Sequence, residues 1–300
     1  MSVIPITAQT VPGVWTALVT PFRGRTINWE VWEALVERAA AAKITGIVVL
    51  GSTGESPAVA ESERERLIAR AVEIARKRLY VMVGAGSFNQ SHAIHQVKQA
   101  ASLGADSVLV VTPYYNKPTQ TGLRRYFLAI AEKSPLPIIL YHIPGRCGVG
   151  ISPRLTLRLA NHPQIIGLKD AGGDVARVGD IVSRAPEDFT VLSGDDPLTL
   201  PMMALGAKGV VSVLSNIVPN RVRELVEAAS RGAFIEALTI HKGLTPLNST
   251  FFLETNPAPV KEAMNQAGIR VGSVRPPLAP VSAKTRNALK AALKLAGELR

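Results

Sequence analysis

The chain has almost no cysteine: Cys147 is the single one in 300 residues. No disulfide can form within it, so a cross-linked scaffold is excluded, and the composition fits a reducing cytoplasm. Long apolar runs are missing too; none reaches the ~20 residues that a membrane helix needs. The opening stretch, MSVIPITAQTVPG, has no basic segment followed by an apolar one, so no secretory signal is expected. The five histidines are scattered, no HxH or CxxC spacing occurs, and the paired Asp195 and Asp196 lack companions. No metal site is expected. GxGxxG and Walker loops are absent, which removes support for dinucleotide or P-loop chemistry. Acidic residues are outnumbered, 23 against 34 Lys and Arg, for a net charge of +11. That balance can suit nucleic acid, a membrane surface or anionic ligands. No dense basic cluster with interleaved aromatics accompanies it, however. The densest patch, ARKR at 75–78, is short and lies where a helix should end, where cations suit the helix dipole. The positive charge reads as spread over solvated helix faces, with neither nucleic acid nor membrane as a partner.

What the chain has in quantity is aliphatic residues in short runs. Apolar residues make up 47% of it, enough for a large core. Runs rich in Val, Ile and Leu occur at 14–22, 46–51, 79–86, 106–113, 137–144, 165–170, 189–194 and 209–215, each bounded by Gly, Pro or Asp. Continuous runs of this kind suit strands buried on both faces. Amphipathic stretches separate them. One opens on Asn28 as a cap, one starts acidic at Glu61 and ends basic, and one opens on Ser152 with Pro153 in the first helical position. This alternation predicts an α/β (β/α)8 TIM barrel over 1–231. The remainder, 232–300, contains only helical patterns and is expected to form a C-terminal helical domain. An open doubly wound sheet is the competing architecture.

In such a barrel, chemistry sits at the C-terminal ends of the strands. The residues there are Ser52, Thr53 and Glu55; Tyr114 and Tyr115; Tyr141 and Arg146; Lys169 and Asp170; Ser193, Asp195 and Asp196. Lys169 ends an apolar run, and a buried ammonium is costly unless it is paired, neutral or used in chemistry. It is either a structural lysine held by Asp170 or Asp196, or a nucleophile. Burial lowers a lysine pKa, and a neutral amine can form a Schiff base with a ketone. Moving it from about 10.4 to near 7–8 takes roughly 4 kcal/mol, which burial and a nearby cation such as Arg146 could supply. Tyr141, Tyr115 and Ser52 carry hydroxyls suited to a proton relay, although each also reads as an ordinary core or turn residue. The Gly-rich turn around Ser52 and Thr53 can present amides to a carboxylate, and Arg146 can clamp one. His142 should point away from Tyr141, as packing or support.

The motifs GSTGES, TPYYNKPTQTGL, LYHIPGR, GLKDAGGD, LSGDDPLTLPMMALGAKGVVSV and NPAPVK occur in this order, most at an expected strand end. In them the chain resembles the dihydrodipicolinate synthase family, within the pyruvate-dependent class I aldolases that include N-acetylneuraminate lyase. The resemblance implies Lys169 as the Schiff-base lysine and Tyr141 as the proton carrier. Tyr115 would complete the relay in a neighbouring subunit, and Ser52 would stand in it where the synthases usually carry threonine. Thr53 with Ser52 would hold the pyruvate carboxylate, and Arg146 that of the second substrate. Val211 and Gly194 would line the substrate site. The implied reaction condenses pyruvate with L-aspartate semialdehyde, a step of lysine and diaminopimelate biosynthesis. It needs no cofactor beyond the covalent imine, and the implied assembly is a cytoplasmic homotetramer of tight dimers.

Ser52 matches sialic acid lyases, whereas Arg146 and Ala171 depart from them. Aldolases acting on keto-deoxy sugar acids or 4-hydroxy-2-oxoglutarate are alternatives, as is a non-catalytic anion-binding barrel. Where lysine-inhibited relatives bind lysine, the matching positions are Glu61, Arg64, Phe88 and His92, so feedback is expected to be weak or absent.

Overall fold

The computed structural model describes residues 6–75 and 78–299. Arg76 and Lys77 of the basic ARKR patch, with the first five residues, therefore lie outside the described residues. Among the described residues ten strands are formed: β1 (Gly13–Ala17), β2 (Phe22–Arg23), β3 (Thr26–Ile27), β4 (Gly46–Val49), β5 (Tyr80–Ala85), β6 (Ser107–Val111), β7 (Ile138–His142), β8 (Ile165–Asp170), β9 (Thr190–Ser193) and β10 (Gly209–Ser212). Eight close into a parallel barrel in the order β1-β10-β9-β8-β7-β6-β5-β4. Closure rules out the open doubly wound sheet.

Alternation along each strand sorts its side chains into two layers. Trp15, Val48, Met82, Leu109, Ile139, Tyr141, Leu192 and Val211 fill the barrel. Val14, Ile47, Val81, Val108, Leu140, Leu168 and Val210 face the surrounding helices. Both faces are apolar because both are covered, which is why the runs read as continuous rather than alternating. Helices start where their caps stand: Asn28 accepts from Val31 N, Ser152 accepts from Leu155 N, and Pro153 takes the first turn.

The first run departs from expectation. Its strand stops at Ala17, and the chain then leaves the barrel into an antiparallel β2–β3 hairpin. Leu18 N still donates to Val48 O, but Thr20 turns its hydroxyl onto Gly54 O and Pro21 has no N–H to offer a ladder. After Gly232 the chain is helical: Phe234–Thr250, Ala258–Gln266 and Ala283–Ala296. The segment from Asn256 to Arg275 folds back onto the C-terminal end of the barrel.

Candidate active site

Lys169 is the penultimate residue of β8 and points inward. It pairs in register with Tyr141 on β7, and its Nζ lies 4.2 Å from the centroid of that ring. Both residues are buried. Gly194 follows β9 and donates its N–H to Asp170 O at 2.7 Å. A Cβ at Gly194 would sit 2.9 Å from Lys169 Cε, so glycine is what leaves the lysine stem its channel. Val211 on β10 and Leu192 on β9 complete the apolar wall.

The sequence left Lys169 with two possible carboxylate partners, and neither holds it. Asp170 points to the other side of the sheet, as alternation requires. There it binds Arg177 Nε at 2.9 Å and Gly172 N at 2.9 Å. Asp196 is spent on the Ser212 hydroxyl and on the N–H groups of Val213 (2.7 Å) and Leu214 (3.1 Å). Among the described residues Lys169 Nζ has no hydrogen-bond or ion-pair partner. Asp195 is the acid whose charge it feels: burial raises that carboxyl's pKa, and Lys169 opposes the rise. His142 faces away from the barrel centre, as expected. Its Nδ1 accepts from Ile151 N at 3.0 Å, and burial lowers its pKa against the pull of Asp170.

Burial pushes the Asp196 carboxyl up from 3.8 to about 6. A raised acid stabilises the fold below its unfolded pKa and loses that contribution as pH climbs through the folded one. Stability should therefore fall by about 2 kcal/mol from this group between pH 4 and pH 6. Asp196→Asn keeps acceptors for the two amides and removes the titration. Urea unfolding across that window should lose this slope in the variant; an unchanged slope would refute the assignment.

A cavity of about 340 Å3 opens beside Tyr141 and is lined also by Ser52, Tyr114, Arg146 and Asn256. Its size is that of a small-molecule site. Thr53 is buried and does not line the cavity. Ser52 and Thr53 belong to a tight turn closed by Gly54 N on Gly51 O and Glu55 N on Ser52 O. Their own N–H groups donate to nothing among the described residues. Arg146 sits at the rim, in the short turn Pro144–Cys147, with Nη2 donating to Asn256 O at 2.7 Å. A groove of about 510 Å3 between the β2–β3 hairpin and the C-terminal helices is larger, but its lysine, Lys261, is committed to other residues.

Tyr115 stands apart. It is 89% exposed, with φ of +70° in the left-handed region, and does not line this chain's cavity. Tyr114 does, packed edge-on against Phe88 at 5.6 Å. Leu50 and Glu55, which line the same cavity, also hold positive φ. Such backbone costs about 1–3 kcal/mol per residue and gathers at functional sites.

Sequence reasoning missed Asn256. Its Nδ2 donates to Thr53 Oγ1 at 2.9 Å and its carbonyl receives Arg146, so it ties the two carboxylate-binding candidates together. Its buried Oδ1 has no partner. The signal available was NPAPVK, whose role could not be read without the fold.

A closed parallel barrel with a buried, unpaired lysine against a tyrosine at its C-terminal end is the apparatus of a Schiff-base-forming carbon–carbon lyase of the class I aldolase type. Within that class the chain belongs to the dihydrodipicolinate synthetase family, whose model matches residues 10–296. It is 44% identical over 289 residues to the 4-hydroxy-tetrahydrodipicolinate synthase of an Exiguobacterium species, covering 96% of this chain and 99% of that one. The structure of the dihydrodipicolinate synthase of Thermotoga maritima superposes with a TM-score of 0.94 at 41% identity, over 96% of this chain and 99% of its own. That of the Acinetobacter baumannii enzyme in complex with pyruvate gives 0.94 at 39% identity, over 96% and 100%.

Proposed function

We propose that the chain is a 4-hydroxy-tetrahydrodipicolinate synthase, condensing pyruvate with L-aspartate semialdehyde. The observation that carries this reading is Lys169: buried, without a hydrogen-bond or ion-pair partner among the described residues, and against Tyr141, which lines the cavity. Its amine adds to the pyruvate ketone, and loss of water leaves an imine. The pyruvate carboxylate is received by the amides of the Ser52–Thr53 turn, which donate to nothing among the described residues, and by its hydroxyl protons. Tyr141 and Ser52 carry protons to and from the departing oxygen. The imine loses a methyl proton to become an enamine, whose carbon attacks the aldehyde. The amino group of the bound semialdehyde then displaces Lys169 and closes the ring. The protonated imine is the electron sink, so no cofactor enters.

Arg146 at the rim is the clamp for the second substrate's carboxylate. Arg146→Ala should lower kcat/KM for aspartate semialdehyde by about 10- to 100-fold while borohydride still traps pyruvate on Lys169. Equal loss of both would remove that role. A coupled assay with the reductase that consumes the product, run beside a panel of aldehyde acceptors, tests the reaction itself. Preference for a sugar-acid aldehyde would replace the reading.

The exposed, strained Tyr115 supports an assembly in which it enters a second copy's site, and the proposed state is a cytoplasmic homotetramer. Among the described residues no helix is long and apolar enough to cross a membrane.

The positions where lysine-inhibited relatives bind lysine are already engaged. Arg64 is buried with its guanidinium on Gln99 and on Gly84 O, Gln99 reaches Glu61, and His92 meets Gln96 at 2.9 Å. Millimolar lysine should leave turnover unchanged in the coupled assay; clear inhibition would contradict this.

A further inference from the structure

Lys169 is not the only buried lysine. Lys261, from the NPAPVK stretch, is 1% exposed, and unlike Lys169 it spends all three ammonium protons. Nζ donates to Glu55 Oε1 at 2.7 Å, to Thr20 O at 2.9 Å and to Ser273 O at 2.7 Å. It also lies 4.3 Å from the Phe22 ring centroid, whose other neighbour is the Arg275 guanidinium at 4.1 Å. Glu55 is as deeply buried as Lys261, and its second oxygen accepts Arg275 N at 2.8 Å. Arg275 in turn forks onto Glu63, with both contacts at 2.6 Å.

Glu55 closes the turn that carries Ser52 and Thr53. Its N–H donates to Ser52 O, and its backbone holds φ of +55°, a conformation costly for any residue but glycine. Something must hold it there. Thr20 links the same parts a second time, donating its hydroxyl to Gly54 O at 2.7 Å while its carbonyl receives Lys261. The C-terminal segment thus grips the turn at both ends: Asn256 on the Thr53 hydroxyl, Lys261 on the Glu55 carboxylate. With these ties in place, the turn's own hydrogen bonds leave the Ser52 and Thr53 amides unspent, with Ser52 in the cavity wall.

We infer that Lys261 and Glu55 form a positioning pair that holds the Ser52–Thr53 turn in its anion-binding form and so sets the affinity for the keto acid. Lys261 is not in the cavity wall and the Glu55 side chain is 1% exposed and spent on Lys261 and Arg275, so both act through the backbone of 52–55. The inference rests on the proposed function, in which that turn receives the pyruvate carboxylate. A pair that merely fastened the C-terminal helices to the barrel would stabilise the fold and leave pyruvate binding alone.

The test is the double variant Glu55→Gln/Lys261→Met, which removes both buried charges together and strands neither. Thermal melting reports its fold. Steady-state kinetics report KM for each substrate. Borohydride trapping over a range of pyruvate concentrations reports half-saturation of the imine by mass. The folded variant should show pyruvate KM and trapping half-saturation raised by about tenfold or more. Its KM for the aldehyde and its kcat at saturating pyruvate should stay near those of the wild type. Wild-type pyruvate affinity in the folded double variant would overturn the inference, and so would a fall in kcat with both KM values unchanged. If the double variant does not fold, Glu55→Gln alone keeps the carbonyl contacts of Lys261 and is read in the same way. Failure of both to fold assigns the pair to folding and overturns its positioning role. Wild-type protein that gains no mass from pyruvate would instead refute the proposed function.

Discussion

Lys169→Met is expected to abolish pyruvate trapping and to lower turnover by at least about a thousandfold, because the proposed imine forms on its amine. The variant should nevertheless fold. Removing a buried charge is dangerous when it strands a hydrogen-bonded partner, and among the described residues Lys169 has none: Asp170 is held by Arg177, Asp196 by Ser212 and two backbone amides, and Asp195 makes no ion pair with it and loses only the pull of its charge. Methionine keeps the length of the stem that fits past Gly194. The Tm should therefore match or exceed that of the wild type while chemistry disappears. Mass spectrometry after borohydride, with a melting curve on the same sample, checks both halves. Residual trapping at another lysine, or a collapse in Tm, would mean that Lys169 is structural.

Lys261→Met should do the reverse at the level of the fold. It leaves the Glu55 carboxylate buried with Arg275 N as its remaining donor, and it orphans the carbonyls of Thr20 and Ser273. Breaking one side of a buried pair costs about 3–5 kcal/mol, which for a protein of this size is a Tm lower by roughly 5–8 °C. The two lysines are similar in burial but opposite in partnership, and the paired substitutions measure that difference directly. If both variants lost the same stability, partnership would not be what separates them.

Part of this contrast could be read in advance. Strand alternation alone sets Asp170 opposite Lys169 and His142 opposite Tyr141, and the structure has both so placed. The barrel itself was legible because parallel strands covered on both faces must be continuously apolar. Each run appeared in the barrel, the first of them shortened at Ala17. The hairpin after it was not legible, since Phe22–Arg23 and Thr26–Ile27 are too short to carry a period. Lys261 gave the same signal as Lys169, a lysine among apolar residues, but in NPAPVK nothing local tells a paired ammonium from a free one.

Residue chemistry and periodicity along the chain thus determined the barrel, the inward position of Lys169 and Tyr141, and the gathering of Ser52, Thr53 and Arg146 at one end. Only the tertiary structure decided which charges are neutralised and by whom. Glu55 meets Lys261 across 206 positions and Thr53 meets Asn256 across 203, and pairings so distant in the chain leave no trace in local pattern. Period is a property of neighbours along the backbone, whereas partnership depends on where the closed barrel and the returning C-terminal segment bring side chains together.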